Sequence, residues 1–131
     1  MHEFAPLVLL GRVFTSQGKI QKAKDYFLNA LELMKEFAGR TDMLPYCLEG
    51  VCALPGMPVD KIARLLGKTE AFREITSFVI PISEQPLVDS IVQRLQSQLG
   101  KEIIDSTRAA GAILTNEQAI QEAIEVLNVI D

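Results

Sequence analysis

A chain of 131 residues, 48% of them hydrophobic, is long enough to bury one domain-sized core without disulfide staples. Thirteen Lys and Arg against seventeen Asp and Glu give a net charge of -4, and an acidic chain with no basic stripe makes no direct nucleic acid contact on electrostatic grounds. FAPLVLL is far short of a membrane span, and the N-terminus lacks the charged region and small-residue cleavage site of a secretory signal. A cytoplasmic protein without membrane contact is the expectation.

Apolar residues recur at helical spacing along the whole chain and nowhere alternate with period two between hairpin turns. This predicts an all-α chain of about seven helices. The first spans about 3–16 and ends before the Gly18 turn. The second, about 19–37, carries a stripe of Ile20, Ala23, Phe27, Ala30, Leu31, Met34 and Phe37, with Gly39 as its C-terminal cap. The third, about 42–53, begins after Thr41 or Asp42, holds Pro45 in its first turn and is stopped by PGMP at 55–58. The fourth, about 59–78, carries Ile62, Leu65, Leu66, Phe72 and Ile75, and Gly67 marks a bend or a close helix contact.

Residues 79–86, VIPISEQP, read as a spacer between 1–78 and 87–131. Beyond it Leu87, Ile91, Leu95 and Leu99, with Val88 and Val92, form a fifth helix ended by Gly100. A sixth covers about 101–110 and stops at Gly111. The seventh opens on a capping box, Thr115 followed three residues later by Gln118, before Ala119, Ile120, Ala123, Ile124 and Leu127.

The first two helices carry a further pattern. Leu7, Leu10, Gly11 and Phe14, then Ala23, Phe27 and Ala30, match in register the residue types of the tetratricopeptide repeat, a helix-turn-helix of 34 residues. The tryptophan and the closing proline are missing, Lys35 standing for the latter. Gly11 and Ala23 remove bulk where the helices cross, and Phe14 and Phe27 fill the space beside them. A strict second repeat fails, because Pro45 falls on the Gly11 position and Lys61 on the Phe27 position. A looser echo survives in Leu48, Gly50, Cys52, Gly56 and Ala63. One good repeat, one degenerate one and then different helices predict the end of a right-handed helical-hairpin solenoid. Residues 1–78 supply the hairpin pairs and 87–131 the capping helices.

The order of features from Leu48 onward resembles a family. ARLLG at 63–67, Glu70-Ala71, Leu99-Gly100, Gly111 and the LTxExA run from Leu114 are similar to the C-terminal tetratricopeptide-like region of bacterial signalling ATPases, including LuxR-type transcriptional regulators. The resemblance covers nearly the whole chain in short, mostly structural elements. It implies a regulatory fragment or stand-alone relative of a signalling or transcription-regulating protein. It does not bring a phosphate loop, since Val13 and Ile20 stand where glycine and Ser or Thr belong around Gly18-Lys19.

Catalytic chemistry finds no residues to carry it. His2 is the only histidine and sits at the terminus. Cys47 and Cys52, five apart and roughly 140° around a helix, suit two buried thiols rather than a metal or redox pair. Glu117, Glu122 and Glu125 fall on the polar face of the last helix, and Tyr26 and Tyr46 have no adjacent base. The expectation is a non-enzyme with no cofactor and no metal.

Two functions remain. One is a protein-interaction module whose first helix lines a concave surface with Val8, Arg12 and Thr15, Arg12 bringing the only charge. Its alternative has the C-terminal helices fold over that surface. The other function is an effector-sensing domain with a small molecule held between helices. Pro6, Leu9 and Val13 make a second apolar stripe on the first helix, covered either by self-association, most simply a two-fold dimer, or by one of the last three helices.

Overall fold

The computed structural model describes residues 4–36, 43–76, 80 and 82–130. Their elements are α1 (Phe4–Ser16), α2 (Ile20–Glu36), α3 (Leu44–Cys52), α4 (Val59–Thr76), a 3-10 turn (Ile82–Glu84), α5 (Gln85–Gln98), α6 (Lys101–Ala112) and α7 (Asn116–Val129). Seven α-helices and no strand among the described residues make the chain all-α. His2, Phe37, Gly39, Thr41 and Asp42 lie outside the described residues.

Gly18 closes the first hairpin at φ 75°, a left-handed conformation that suits glycine. The hairpin is locked by one ring. Phe27 is fully buried, and a Cβ built on Gly11 would stand 2.7 Å from it, one on Gly50 2.6 Å. The two glycines let α1 and α3 close on the two sides of a phenylalanine from α2. Phe14 takes a more peripheral place, half-buried and stacked on Tyr26 with ring centroids 5.4 Å apart.

α1 is rotated relative to the predicted stripe. Leu10 is exposed, and Val8 is buried in its stead. The reason is that α1 packs against α3 as well as α2, so its covered arc extends past Gly11 toward Val8 and Arg12, whose stem lies beside Gly50. α3 starts at Leu44 with Pro45 second, where the missing N–H is one that a helix start leaves unbonded anyway. Ile75, predicted on the α4 core stripe, is exposed near the end of that helix.

The closest helix approach joins α4 to α6. A Cβ on Gly67 would collide with the Arg108 carbonyl, and one on Gly111 with the Arg64 carbonyl, so the two backbones run antiparallel in direct contact. Gly67 is thus the close contact and not a bend. Gly111 does not stop α6, which runs through it to Ala112. α7 lies across α2 and α4 and opens on the predicted capping box: the Gln118 N–H donates to Thr115 Oγ1 at 3.0 Å and the Thr115 N–H to Gln118 Oε1 at 2.9 Å. α5 starts two residues inside the predicted spacer, with Pro86 second in the helix. Buried residues of all seven helices, Val8 of α1 and Ile104 of α6 among them, join one hydrophobic cluster.

Long-range polar contacts fix the helix ends. Lys68 donates to the Leu114 carbonyl just past α6 at 2.9 Å. Lys24 reaches the Ile130 carbonyl past α7 at 2.5 Å. Arg94 donates to Leu54 and Met57 carbonyls beyond α3 at 3.2 and 3.4 Å. The Lys24 and Lys68 contacts place a cation just past a helix C-terminus, where carbonyls lack intrahelical partners and the helix dipole is negative.

Candidate functional site

Two groups of side chains with chemical potential are spent inside the fold. Cys47 and Cys52 are buried free thiols. Burial pushes Cys47 up to about 12, against a smaller pull from Arg12. Burial and then the Glu49 charge push Cys52 higher still, so neither is a thiolate nucleophile. Glu122, predicted on a solvated face, is instead 13% exposed and ties α7 to α4: Arg64 Nε donates to its Oε1 at 2.6 Å and Nη2 to its Oε2 at 3.0 Å. Burial alone would raise its carboxyl, but the Arg64 hydrogen bonds and the Lys61 charge outweigh that and hold it below the usual range. Glu117 and Glu125 are exposed.

Cations are spent the same way. Every Lys and Arg among the described residues meets a partner within the chain: a carboxylate, a carbonyl, a side-chain amide or, for Lys19 and Lys22, the Phe14 ring. The most enclosed pair joins Arg73 to the fully buried Glu49 through two hydrogen bonds between α4 and α3. Among the described residues no three His, Cys, Asp or Glu converge as metal ligands, and no helix is long and apolar enough to cross a membrane.

One open place with exposed apolar side chains is the outer side of α1. A groove of about 550 Å³ runs between α1 and the start of α3, lined by Leu9, Arg12, Val13, Ser16, Met43, Tyr46 and Glu84. Leu9 is 58% exposed and Val13 47%. Arg12 is paired with Glu84 of the 3-10 turn, so the segment before α5 reaches over the groove and supplies a carboxylate to its one cation. The other residues of that turn, Ile82 and Ser83, are exposed.

The sequence-predicted residues divide accordingly. Val8 lies wholly in the core and has no surface to offer a partner. Thr15 is half-buried and spends its hydroxyl on the Gly11 carbonyl at 2.7 Å. Arg12 alone of the three lines the groove. Pro6, Leu9 and Val13 share an exposed face with Leu10, and none of α5, α6 or α7 covers it. Met43, Tyr46 and Glu84 were invisible as site residues because they come from distant segments and match no motif. Glu84 is one acid within the proline-bearing spacer, and no motif around it marks it as a site residue.

No protein-family model, characterised protein or solved structure gives a significant match to the chain.

Proposed function

We propose that the chain is a non-catalytic protein-interaction module of a regulatory, cytoplasmic protein, built as the end of a right-handed tetratricopeptide-like solenoid. Support for the solenoid comes from the succession of hairpins: α1 packs on α2, both touch α3, and α3 packs on α4. The resemblance to signalling ATPases and LuxR-type regulators supports the regulatory role. The observation that carries the reading is the groove beside α1, apolar at Leu9 and Val13, with an Arg12 whose charge is already met by a carboxylate on a short turn. Glu84 marks the seat a partner's carboxylate takes, and the flanking apolar wall receives its neighbouring side chains.

The test is a binding screen of acidic C-terminal peptides against wild type, Arg12→Glu and Glu84→Gln. Binding by wild type that Arg12→Glu loses and Glu84→Gln tightens supports the module. Equal binding by wild type and Arg12→Glu removes Arg12 from the site, and no binding by any of the three sinks the reading.

A second reading rests on the groove's volume, which falls in the range of small-molecule sites: an effector carboxylate would use the same Arg12. A thermal-shift screen with metabolites separates the two, since a ligand bound only to the folded chain raises the melting temperature.

A further inference from the structure

Glu84 belongs to two places in the fold. It lines the groove beside α1, where its Oε1 is paired with Arg12, and it is also the N-cap residue of α5. Its carboxylate serves the first place and not the second. The start of α5 has no side-chain cap hydrogen bond and no acid in its first turn, although the first N–H groups of a helix lack intrahelical partners and its dipole favours an anion there. A capping oxygen accepts from the second or third helical residue. Pro86 holds the second position and has no N–H, which leaves the Leu87 N–H as the alternative seat for the Glu84 carboxylate.

The seat on α1 is shielded but incomplete. The Arg12 and Glu84 side chains are 17% and 22% exposed, so solvent screens their attraction less than it screens a surface pair. Yet Glu84 Oε1 is buried and accepts no hydrogen bond, an arrangement that is unfavourable for a buried acceptor. No other side chain of the 3-10 turn is buried to hold it in place: Ile82 and Ser83 are both exposed, and the turn packs on α5, which follows it directly. α5 is fixed separately, by the buried Val88, Ile91 and Leu95 and by Arg94 on the Leu54 and Met57 carbonyls. The Glu84 side chain is therefore free to leave Arg12 while the core stays closed.

We propose that Glu84 is a two-position latch, its carboxylate resting on Arg12 in the free chain and moving to the Leu87 N–H when a ligand carboxylate takes Arg12. The groove thus carries its own competitor, and the displaced charge is received at a helix N-terminus. Two discrete seats for one side chain make a two-state element, which a ligand shifts by its preference for one state. The role as competitor rests on the reading of the groove as a peptide site, whereas the two positions are a property of the chain alone.

Hydrogen exchange of the Leu87 amide in the ligand-free chain tests the two positions. The variants are Arg12→Gln and Arg12→Met, which drop the charge and keep the stem beside Gly50, each alone and combined with Glu84→Ala. Leu87 exchange is expected to slow about fivefold in both single variants, the factor that one cap of ordinary strength supplies, and to return to the wild-type rate in both double variants. Glu84→Ala by itself should leave it unchanged. Three outcomes overturn the latch: equal Leu87 rates in wild type and the Arg12 variants, a slowing that survives Glu84→Ala, or exchange that quickens throughout α2 and α4, which would show Arg12 holding the core. Saturating the wild type with an acidic peptide should slow Leu87 by the same factor. A peptide that binds through Arg12 and leaves Leu87 unchanged overturns the latch and spares the site. No peptide binding, alongside a slowed Leu87 in the Arg12 variants, overturns the site and supports the two positions.

Discussion

The α4–α6 crossing and the outer side of α1 are both helix faces, yet they are finished in opposite ways. At the crossing, Gly67 and Gly111 bring two backbones into contact, and Arg108 and Glu70 pair beside them. At α1, the inward arc of Val8 and Gly11 is closed by Phe27 and α3, while Pro6, Leu9, Leu10 and Val13 remain in solvent. The contrast teaches that apolar residues on a helix report two different things: a contact already made within the chain, or one still available to a partner.

Substitution at the glycines probes the closed region hardest. Gly111→Ala drives a methyl into the Arg64 carbonyl, a backbone neighbour that cannot rotate away, so a loss of about 3 kcal/mol or more is expected by overpacking. Chemical denaturation measures it. Gly11→Ala meets a ring instead. That ring is clamped from its other side by Gly50, but alanine adds helix propensity of about 1 kcal/mol, and the net expected loss is about 1–2 kcal/mol. A smaller loss at Gly111 than at Gly11 would reverse the account of which crossing is tighter.

Glu122 sharpens the comparison through pH. Its folded carboxyl sits below the unfolded value of about 4.3. Its contribution is therefore full above that unfolded value and disappears as pH falls through the lower, folded one. Glu122→Gln should cost about 1 kcal/mol at neutral pH and flatten the acid limb of the stability profile. An unchanged acid limb would mean the α7–α4 tie adds nothing. On the open side, Leu9→Lys should change monomer stability by less than about 0.5 kcal/mol, because Leu9 already stands in water. A melting temperature several degrees lower would show Leu9 holding the fold.

Much of the architecture was legible because it is local. The capping box of α7, the PGMP stop, the Gly18 turn and the α2 stripe depend on neighbours within a few residues. Gly11 and Phe27 were legible through the repeat pattern, which encodes a crossing. What escaped depends on which helix arrives from elsewhere. Gly111 looks like a helix end until α4 is laid against it, and Glu122 looks solvated until Arg64 reaches it. The α1 stripe looked centred on Leu10 because periodicity fixes a face's width but not how many neighbours share it. The groove was legible only at Arg12, since Tyr46 and Glu84 lie 34 and 72 residues further along.

The most direct test of the open-face account is amide chemical-shift mapping on isotope-labelled chain, titrated with the tightest acidic peptide from the screen. The account predicts shifts gathered at Leu9, Arg12, Val13, Tyr46 and Glu84, absent in Arg12→Glu. Shifts confined to α6 and α7 with α1 silent would contradict it.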